Sequence, residues 1–444
     1  MRRGLREHVE EVLPGVRTNL EGLIRIPSVS APGFDPAHVR ASADAAAEVL
    51  EAAGTKEVRL LEVQDVHPAV YGRLPAPDGA PTVLLYAHHD VQPPGDEAQW
   101  ETAAFDPVER GGRLYGRGSS DDKCGIAMHE AAIRAHEGRP PVGVTVFIEG
   151  EEEIGSEHLG QFLDRYGDLL RADVFVLADG GNWRIGQPAL TTSLRGLVDC
   201  VVEVRTLQHG QHSGVYGGPI PDALTVLCRL LASLHDERGR VAIPDLVVGD
   251  ADPLDLNEEE LRNQAACVPG LELLGEGSLT SRMWRQPAVS VLAIDAPRVE
   301  EASNTLVPSA RAKVSLRLAP GEDPGRAMAA LVKHLESHVS WGAEVRVTPG
   351  ASAHPHALEP VGPRFDAARE AFAEAWGTKP IEMGIGGTIP FVAAFAEAYP
   401  EAAILVTGVG DPDSRAHGTN ESIDLGELER ACVAEALLLD RLAP

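Results

Sequence analysis

The 444-residue sequence has few cysteines, few aromatic residues and no long apolar run. Its five cysteines are scattered, odd in number and never form a CxxC pair, so we expect neither a disulfide framework nor a thiolate zinc site. This cysteine usage fits a reducing compartment, and we predict a cytoplasmic protein. No stretch of about 18 apolar residues suggests a membrane span, and the charged N-terminus is not followed by the apolar segment of a secretory signal.

Positive charge is also scarce. Lys and Arg total 39 against 67 Asp and Glu, a formal net charge of −28 at pH 7. A surface this negative repels nucleic acid backbones and anionic lipids, so we expect neither as a partner. The remaining composition, 43% hydrophobic and 24% charged, is that of an ordinary globular protein. Its length allows about three domains, and two are more typical of an α/β protein of this size.

Apolar strands alternate with helical segments along much of the chain, which predicts a mostly parallel sheet with helices on both faces. The main strands of this sheet are predicted at 82–87, 142–148, 173–178 and 403–407. Between them the order changes to βαββαβ, which is typical of a ferredoxin-like unit. We therefore predict an outer α/β domain in two parts, 1–193 and 356–444, interrupted by an inserted domain at 194–355.

Side chains that bind divalent metals follow almost every predicted strand of the outer domain. His88 and Asp90 follow the first of these strands, and they share one face because side chains alternate along a strand. The other strand ends and one Gly-rich turn supply Asp121, the run Glu149–Glu153, Asp179, Asp411, Asp413 and His417. Ligands bind at the carboxyl ends of parallel strands, so these residues can converge on one crevice. Imidazole and carboxylate groups form the nitrogen and oxygen ligand set of Zn²⁺ and similar ions.

Each of these features alone has a plainer interpretation. A His-His-Asp sequence after a strand is commonly an ordinary loop, a run of glutamates is usually a solvated face, and a lone His417 in a Gly-rich loop is often without function. Their occurrence together at strand ends favours a metal site. The sequence contains no Walker loop, no GxGxxG turn and no GxSxG elbow, so it shows no motif for nucleotide binding or for a serine nucleophile.

Seven motifs, in order along the chain, resemble those of one family of dinuclear metallohydrolases. They are YAHHDVQP (86–93), GRGSSDDKCG (116–125), IEGEEEIGS (148–156), LADGG (177–181), HGQHSGVYGG (209–218), VSLRL (314–318) and RAHGTNE (415–421). That family includes aminoacylase, carboxypeptidase G, succinyl-diaminopimelate desuccinylase and the carnosine-type dipeptidases. The HSGVYGG and VQP variants are most similar to the dipeptidase branch.

The resemblance implies roles for the matching residues of the outer domain, which would be the catalytic domain. Two divalent ions per chain (zinc, with manganese or cobalt as alternatives) would be held by five ligands. These ligands would be His88, Asp179, Glu153, His417 and a bridging Asp121. Glu152 would be the general base, and Asp90 would orient the ligands. The peptide bond after the bridging aspartate would be cis.

The resemblance also implies that the inserted domain is a lid or dimerisation domain of a homodimer. It would offer His212 to the partner's active site, while Arg317, Thr388 and Gly387 would bind the substrate's carboxylate. From the strand pattern alone, Arg317 could equally be an exposed charge. One stretch departs from the family. The dipeptidase branch has an Arg before a Gly-Gly-Ser turn, whereas this chain has Gly384-Ile385-Gly386-Gly387-Thr388, which leaves the charge on that side of the pocket open.

We therefore predict a dinuclear metal-dependent amide hydrolase. A dipeptidase or related exopeptidase, acting on small peptides with a free C-terminal carboxylate, fits best. An N-acyl amino acid deacylase would use the same residues on an acetyl, succinyl or carbamoyl group. A non-catalytic metal-binding scaffold is the remote alternative, and the presence of Glu152 and every ligand argues against it. The native metal, the exact substrate and the pathway stay open.

Overall fold

The computed structural model describes residues 4–444 and has the predicted α/β class. Its α-helices are α1 (Leu5–Ile24), α2 (Pro36–Ala52), α3 (Lys123–Ala135), α4 (Leu159–Leu170), α5 (Ser213–Tyr216), α6 (Ala223–Ala232), α7 (Glu258–Gln264), α8 (Leu279–Trp284), α9 (Pro324–His338), α10 (Pro363–Trp376), α11 (Pro390–Ala398) and α12 (Leu425–Arg441). Its first strands are β1 (Lys56–Leu61), β2 (Ala69–Leu74), β3 (Thr82–His88), β4 (Val108–Arg110), β5 (Arg113–Tyr115), β6 (Gly143–Glu149), β7 (Val174–Gly181), β8 (Ala189–Leu194) and β9 (Gly196–Arg205). The remaining strands are β10 (Gln211–His212), β11 (Ala288–Asp295), β12 (Thr305–Leu306), β13 (Ser309–Leu318), β14 (Glu344–Ala353), β15 (His356–Ala357), β16 (Ile381–Ile385), β17 (Ala403–Gly410) and β18 (Ser422–Asp424).

The chain forms two compact units, and the first contains most of the sequence. It runs to Thr192 and takes in Leu358–Met383 and Ile389–Pro444. Its large sheet has the order β1-β2-β6-β3-β7-β17-β8. The four strands β6, β3, β7 and β17 are parallel, as predicted. Sequence reading missed β1 and β2, which are antiparallel to their neighbours at one end of the sheet. Each has only six residues, and such short apolar segments are ambiguous by periodicity alone.

Both faces of this sheet are covered, which explains why its strands are apolar without alternation. Val83, Leu85 and Ala87 of β3 belong to a core that also includes buried residues of α1, α3, α10 and α12. The opposite face carries an aromatic cluster. Tyr86 lies 4.0 Å from Phe391 of α11 between ring centroids. A core filled on both faces positions the strands firmly, so their carboxyl ends form a rigid edge.

The second unit comprises Ser193–Ala357 and Gly384–Thr388. Four of its strands form an antiparallel sheet of order β11-β13-β9-β14. Helices α6 and α9 pack on this sheet through a second apolar core. The chain order of these elements is the predicted βαββαβ. Sequence reading did not anticipate that Gly384–Thr388 belongs to this unit, and the roles of the two units stay predictions. None of the helices within residues 4–444 is long and apolar enough to cross a bilayer.

Candidate active site

The predicted metal ligands lie where the parallel strands of the first unit end. His88 is the last residue of β3, and Asp179 lies near the end of β7. Glu152 and Glu153 form a short 3-10 turn just after β6. Because β6, β3, β7 and β17 are successive neighbours in the sheet, their carboxyl ends meet at one edge.

Asp121 lies between two histidines at this edge. Its Oδ1 atom is 3.0 Å from Nε2 of His88, and its Oδ2 atom is 3.0 Å from Nε2 of His417. The same His417 nitrogen is 3.2 Å from Oε2 of Glu153. One carboxylate oxygen therefore faces each imidazole, which is the arrangement that a bridging ligand needs.

Two groups of donor atoms are close enough to hold a cation. Ligand atoms of His88, Asp121 and Glu153 lie within 4.8 Å of one another, and so do those of His88, Glu152 and Asp179. Distance alone thus does not separate Glu152, our predicted base, from the ligands. The five predicted ligands are nevertheless brought together in one unit of the structure.

The electrostatics of this cluster fit a bound cation. Burial, followed by the charges of Glu152 and Asp121, raises the pKa of Asp179 well above its usual range. Burial likewise raises the pKa of Glu152, with further contributions from Asp121 and Glu153. Crowded buried carboxylates are costly unless a positive charge compensates them. Because the donors are imidazole and carboxylate groups, divalent ions such as Zn²⁺ match the set.

Asp90 organises the surroundings of these residues. Its Oδ2 atom accepts hydrogen bonds from the Ser30 hydroxyl (2.6 Å) and from the backbone N–H of Glu153 (3.1 Å). Its Oδ1 atom accepts one from the backbone N–H of Glu152 (3.3 Å) and lies 3.4 Å from Nδ1 of His88. This buried carboxylate therefore positions the turn that carries both glutamates and orients the imidazole. Sequence reasoning missed Ser30, which lies outside every motif.

The adjacent glutamates have different environments. Glu153 accepts hydrogen bonds from the backbone N–H (3.0 Å) and the side-chain amide (2.7 Å) of Gln92. The carboxylate of Glu152 accepts no hydrogen bond from any residue within 4–444. Glu153 is thus held in place, whereas Glu152 has both oxygens available to a substrate or water. Gln92 was overlooked although it belongs to the VQP motif.

The turn before α3 has the conformation that the resemblance implies. The Asp121–Asp122 peptide bond is cis. The buried carboxylate of Glu421 accepts the backbone N–H groups of Ser120 (2.8 Å) and Asp121 (3.1 Å). Glu421 also pairs with buried Arg117. Both residues lie in the motifs quoted above, but sequence reasoning gave them no role.

The second unit contains the remaining predicted residues. His212 is exposed in β10, and its Nδ1 atom accepts the backbone N–H of Gly214 (3.1 Å). Arg317 is half-buried rather than fully exposed, and its Nη1 atom lies 3.4 Å from Oγ1 of Thr388. The Thr388 hydroxyl in turn donates to the backbone carbonyl of Arg195 (2.6 Å).

Arg195 places a second guanidinium near Arg317. Burial and then the charge of Arg317 lower the pKa of Arg195 to about 10. The Nε atom of Arg195 is buried without a hydrogen-bond partner among the described residues. No carboxylate of this unit, within the described chain, pairs with either arginine. A buried and a half-buried guanidinium without an acidic partner in this unit favour binding of an anion. The sequence offered no motif for Arg195.

Close packing explains the departure from the family at residue 384. A Cβ atom on Gly384 would lie 2.6 Å from Cβ of Trp284 and 2.7 Å from Oγ of Ser193. An arginine at this position would have to displace the indole. Trp284 therefore occupies space on this side of the Gly386-Gly387 turn, and the charge that the dipeptidase branch carries there is absent at Gly384.

Comparisons with known proteins agree with this architecture. The model of Peptidase family M20/M25/M40 matches residues 84–441. The cysteinylglycine-S-conjugate dipeptidase of Corynebacterium striatum is 34% identical over 399 residues, covering 88% of this chain and 87% of that protein. The structure of human carnosine dipeptidase 1 aligns with a TM-score of 0.84 at 25% identity, over 99% of this chain and 98% of that chain. The di-peptidase Dug1p of Saccharomyces cerevisiae aligns with a TM-score of 0.86 at 22% identity, with the same coverage.

Proposed function

The chain belongs to Peptidase family M20/M25/M40 and is a metal-dependent hydrolase, and from this premise we propose that it is a dinuclear dipeptidase. Its substrates would be dipeptides or similar small peptides with a free C-terminal carboxylate. The named activities of the Corynebacterium striatum and human relatives support this substrate class.

One observation carries the dinuclear proposal. The two oxygens of Asp121 face different histidines at equal distances, with Glu153 beside one histidine and Asp179 grouped with the other. We assign His88, Asp179 and Asp121 to one ion, and Asp121, Glu153 and His417 to the other. Zinc suits these donors best, and manganese or cobalt would also fit. Bound cations would polarise the scissile carbonyl and make the attacking water more acidic.

The residues of the chain would then carry the proton and hold the substrate. Glu152 accepts a proton from the attacking water at its carboxylate and delivers it to the amine nitrogen as the C–N bond breaks. The role is supported by the Glu152 carboxylate, which accepts no hydrogen bond from the residues that the structure describes. Asp90 keeps the Glu152 backbone and His88 in position throughout. The guanidinium of Arg317 binds the substrate's carboxylate, with the backbone N–H of Gly387 as a further donor. The Thr388 hydroxyl would join them by turning its proton from the Arg195 carbonyl to the carboxylate.

A homodimer completes this proposal. His212 would be contributed by the inserted unit of the partner and would donate a hydrogen bond to the oxyanion of the tetrahedral intermediate. Its exposure on β10 supports such a role, because an exposed imidazole is free to contact another chain. A cytoplasmic location stays a prediction from cysteine usage.

A substrate panel tests the proposal. The metal-loaded protein should hydrolyse dipeptides, Cys-Gly and β-Ala-His among them, with kcat/KM well above that for N-acetyl, N-succinyl and N-carbamoyl amino acids. Chelation should abolish hydrolysis, and metal analysis should find up to two divalent ions per chain. Preferential cleavage of N-acyl amino acids would instead support the deacylase, and bound metal without hydrolysis of either class would support the scaffold.

A further inference from the structure

A buried ion pair connects three segments that carry the proposed metal ligands. Arg117 and Glu421 are 1% and 0% exposed, and Nη1 of Arg117 lies 2.6 Å from Oε2 of Glu421. Neither residue is among the ligands in our assignment. Both side chains instead contact the backbone next to ligand residues.

Glu421 binds the turn that ends in Asp121. Its Oε1 atom accepts the N–H groups of Ser120 (2.8 Å) and Asp121 (3.1 Å), and its Oε2 atom accepts the N–H of Gly118 (3.1 Å). With the Arg117 guanidinium, four donors surround one carboxylate. The turn lies outside regular helix and strand and contains Gly118 at φ +84. Glu421 therefore supplies the hydrogen bonds that determine where the Asp121 backbone lies.

Arg117 extends this network to the other ligand segments. Its Nη2 atom donates to the carbonyl of Gly418 (3.1 Å), the residue after His417. The same atom donates to the carbonyl of Pro93 (3.2 Å), which follows the Gln92 that holds Glu153. One guanidinium thus contacts the residue after the ligand His417 and the residue after the Gln92 that holds Glu153, while its partner carboxylate binds the backbone of Asp121.

We propose that Arg117 and Glu421 are positioning residues that set the spacing of Asp121, Glu153 and His417 and so determine the affinity of the second metal position. This inference rests on the proposed function for the identity of the ligands. His417 has the greatest need of such support, because its side chain is 59% exposed and its backbone adopts a left-handed conformation at φ 63. Groups that orient ligands typically contribute about 10–100-fold to metal affinity.

Substitution of Glu421 by glutamine tests the proposal with little change in shape. The amide NH₂ would face donors whichever way it is turned, either Arg117 and Gly118 or Ser120 and Asp121. The matched control is Glu427→Gln. Glu427 is also 0% exposed and also binds an arginine (Arg430, 2.7 Å) and a backbone N–H (Gly186, 2.8 Å). It further accepts hydrogen bonds from the side chains of Asn182 and Trp376, and none of its partners directly precedes or follows a proposed ligand.

The measurement is a Co²⁺ titration of metal-free full-length protein, followed by calorimetry and by visible absorption. We expect two equivalents in the wild type, and in E421Q a second equivalent that binds roughly 10–100-fold more weakly with an altered spectrum. Turnover of E421Q should recover at high Co²⁺, which a folding defect would not allow. E427Q should lose thermal stability yet keep the wild-type isotherm.

A conservative second variant covers the case in which E421Q does not fold. Arg117→Lys keeps the charge but cannot reach Glu421, Gly418 and Pro93 together, so it should also weaken the second equivalent. A wild-type isotherm for both E421Q and R117K, or for R117K alone if E421Q is unfolded, would refute the positioning role. A wild-type protein that binds fewer than two equivalents would overturn the dinuclear proposal itself and this inference with it.

Discussion

Glutamine substitutions at Glu152 and Glu153 should give opposite phenotypes although the two residues are neighbours. Glu153 is held by two hydrogen bonds from Gln92 and lies 3.2 Å from His417, as expected of a ligand. Glu152 accepts no hydrogen bond within the described chain and is grouped with His88 and Asp179. The first substitution should therefore affect proton transfer, and the second should affect metal retention.

The size of each effect follows from these contacts. Removing a general base typically lowers turnover about 10²–10⁴-fold, which corresponds to about 3–5 kcal/mol in the activation barrier. Glu152→Gln should show this loss in kcat and keep two metal ions, because its backbone N–H still binds Asp90. Glu153→Gln removes the negative charge of a proposed ligand. It also places a side-chain amide next to the Gln92 amide that donates a hydrogen bond to the Glu153 carboxylate. Its loss of metal affinity should exceed the roughly 10–100-fold typical of a group that only orients a ligand.

The assay combines metal analysis after dialysis with kcat and KM for one dipeptide across a range of metal concentrations. Glu157→Gln is the matched control, since Glu157 is an exposed glutamate of the same segment and should change neither quantity. Added metal should restore much of the activity of E153Q and none of that of E152Q. If E152Q instead loses metal and E153Q instead loses turnover, our assignment within the glutamate run is wrong by one residue. Loss of metal from both variants would indicate that Glu152 is also a ligand.

Two further predictions concern the second unit. Mixing inactive His212→Ala protomers with inactive Glu152→Gln protomers should restore part of the activity if the two residues act across a dimer. If activity does not recover after subunit exchange has been verified, the two residues do not share a site. C-terminal amidation of a good dipeptide should lower kcat/KM by an amount comparable with Arg317→Ala. The two changes together should lower kcat/KM little more than either alone, because both remove the same interaction. Equal cleavage of free and amidated dipeptides would contradict the Arg317 role.

The arrangement of the first unit could be predicted because parallel strands impose it. Apolar runs at β3, β6, β7 and β17 indicated a buried sheet, and such strands all present their carboxyl ends at one edge. His88 and Asp179 follow directly from that geometry. The βαββαβ order could also be predicted from the sequence. Apolar and polar residues alternate in β9 and β13, which is typical of a sheet covered on one face.

Residues that act through the backbone could not be predicted in the same way. Ser30, Gln92 and Glu421 contact the site through hydrogen bonds to main-chain atoms or to other side chains, and such contacts leave no periodicity in the sequence. Arg195 gave no signal for a related reason, because a lone arginine beside a strand is ordinarily solvated. Only the structure shows that its guanidinium is buried next to Arg317.

Charge balance gives an independent reason to expect two cations. Five carboxylates of the proposed site lie at the strand ends: Asp90, Asp121, Glu152, Glu153 and Asp179. Buried Asp122 and Glu149 lie beside them. One divalent ion would leave most of this negative charge uncompensated, whereas two would compensate more than half of it. The buried Arg117–Glu421 pair adds no net charge, so it leaves this balance unchanged. Burial raises the pKa of both Glu152 and Asp179 well above its usual range, which favours their protonated forms when no cation is bound. Metal binding must therefore release protons, and the affinity for both ions should rise with pH.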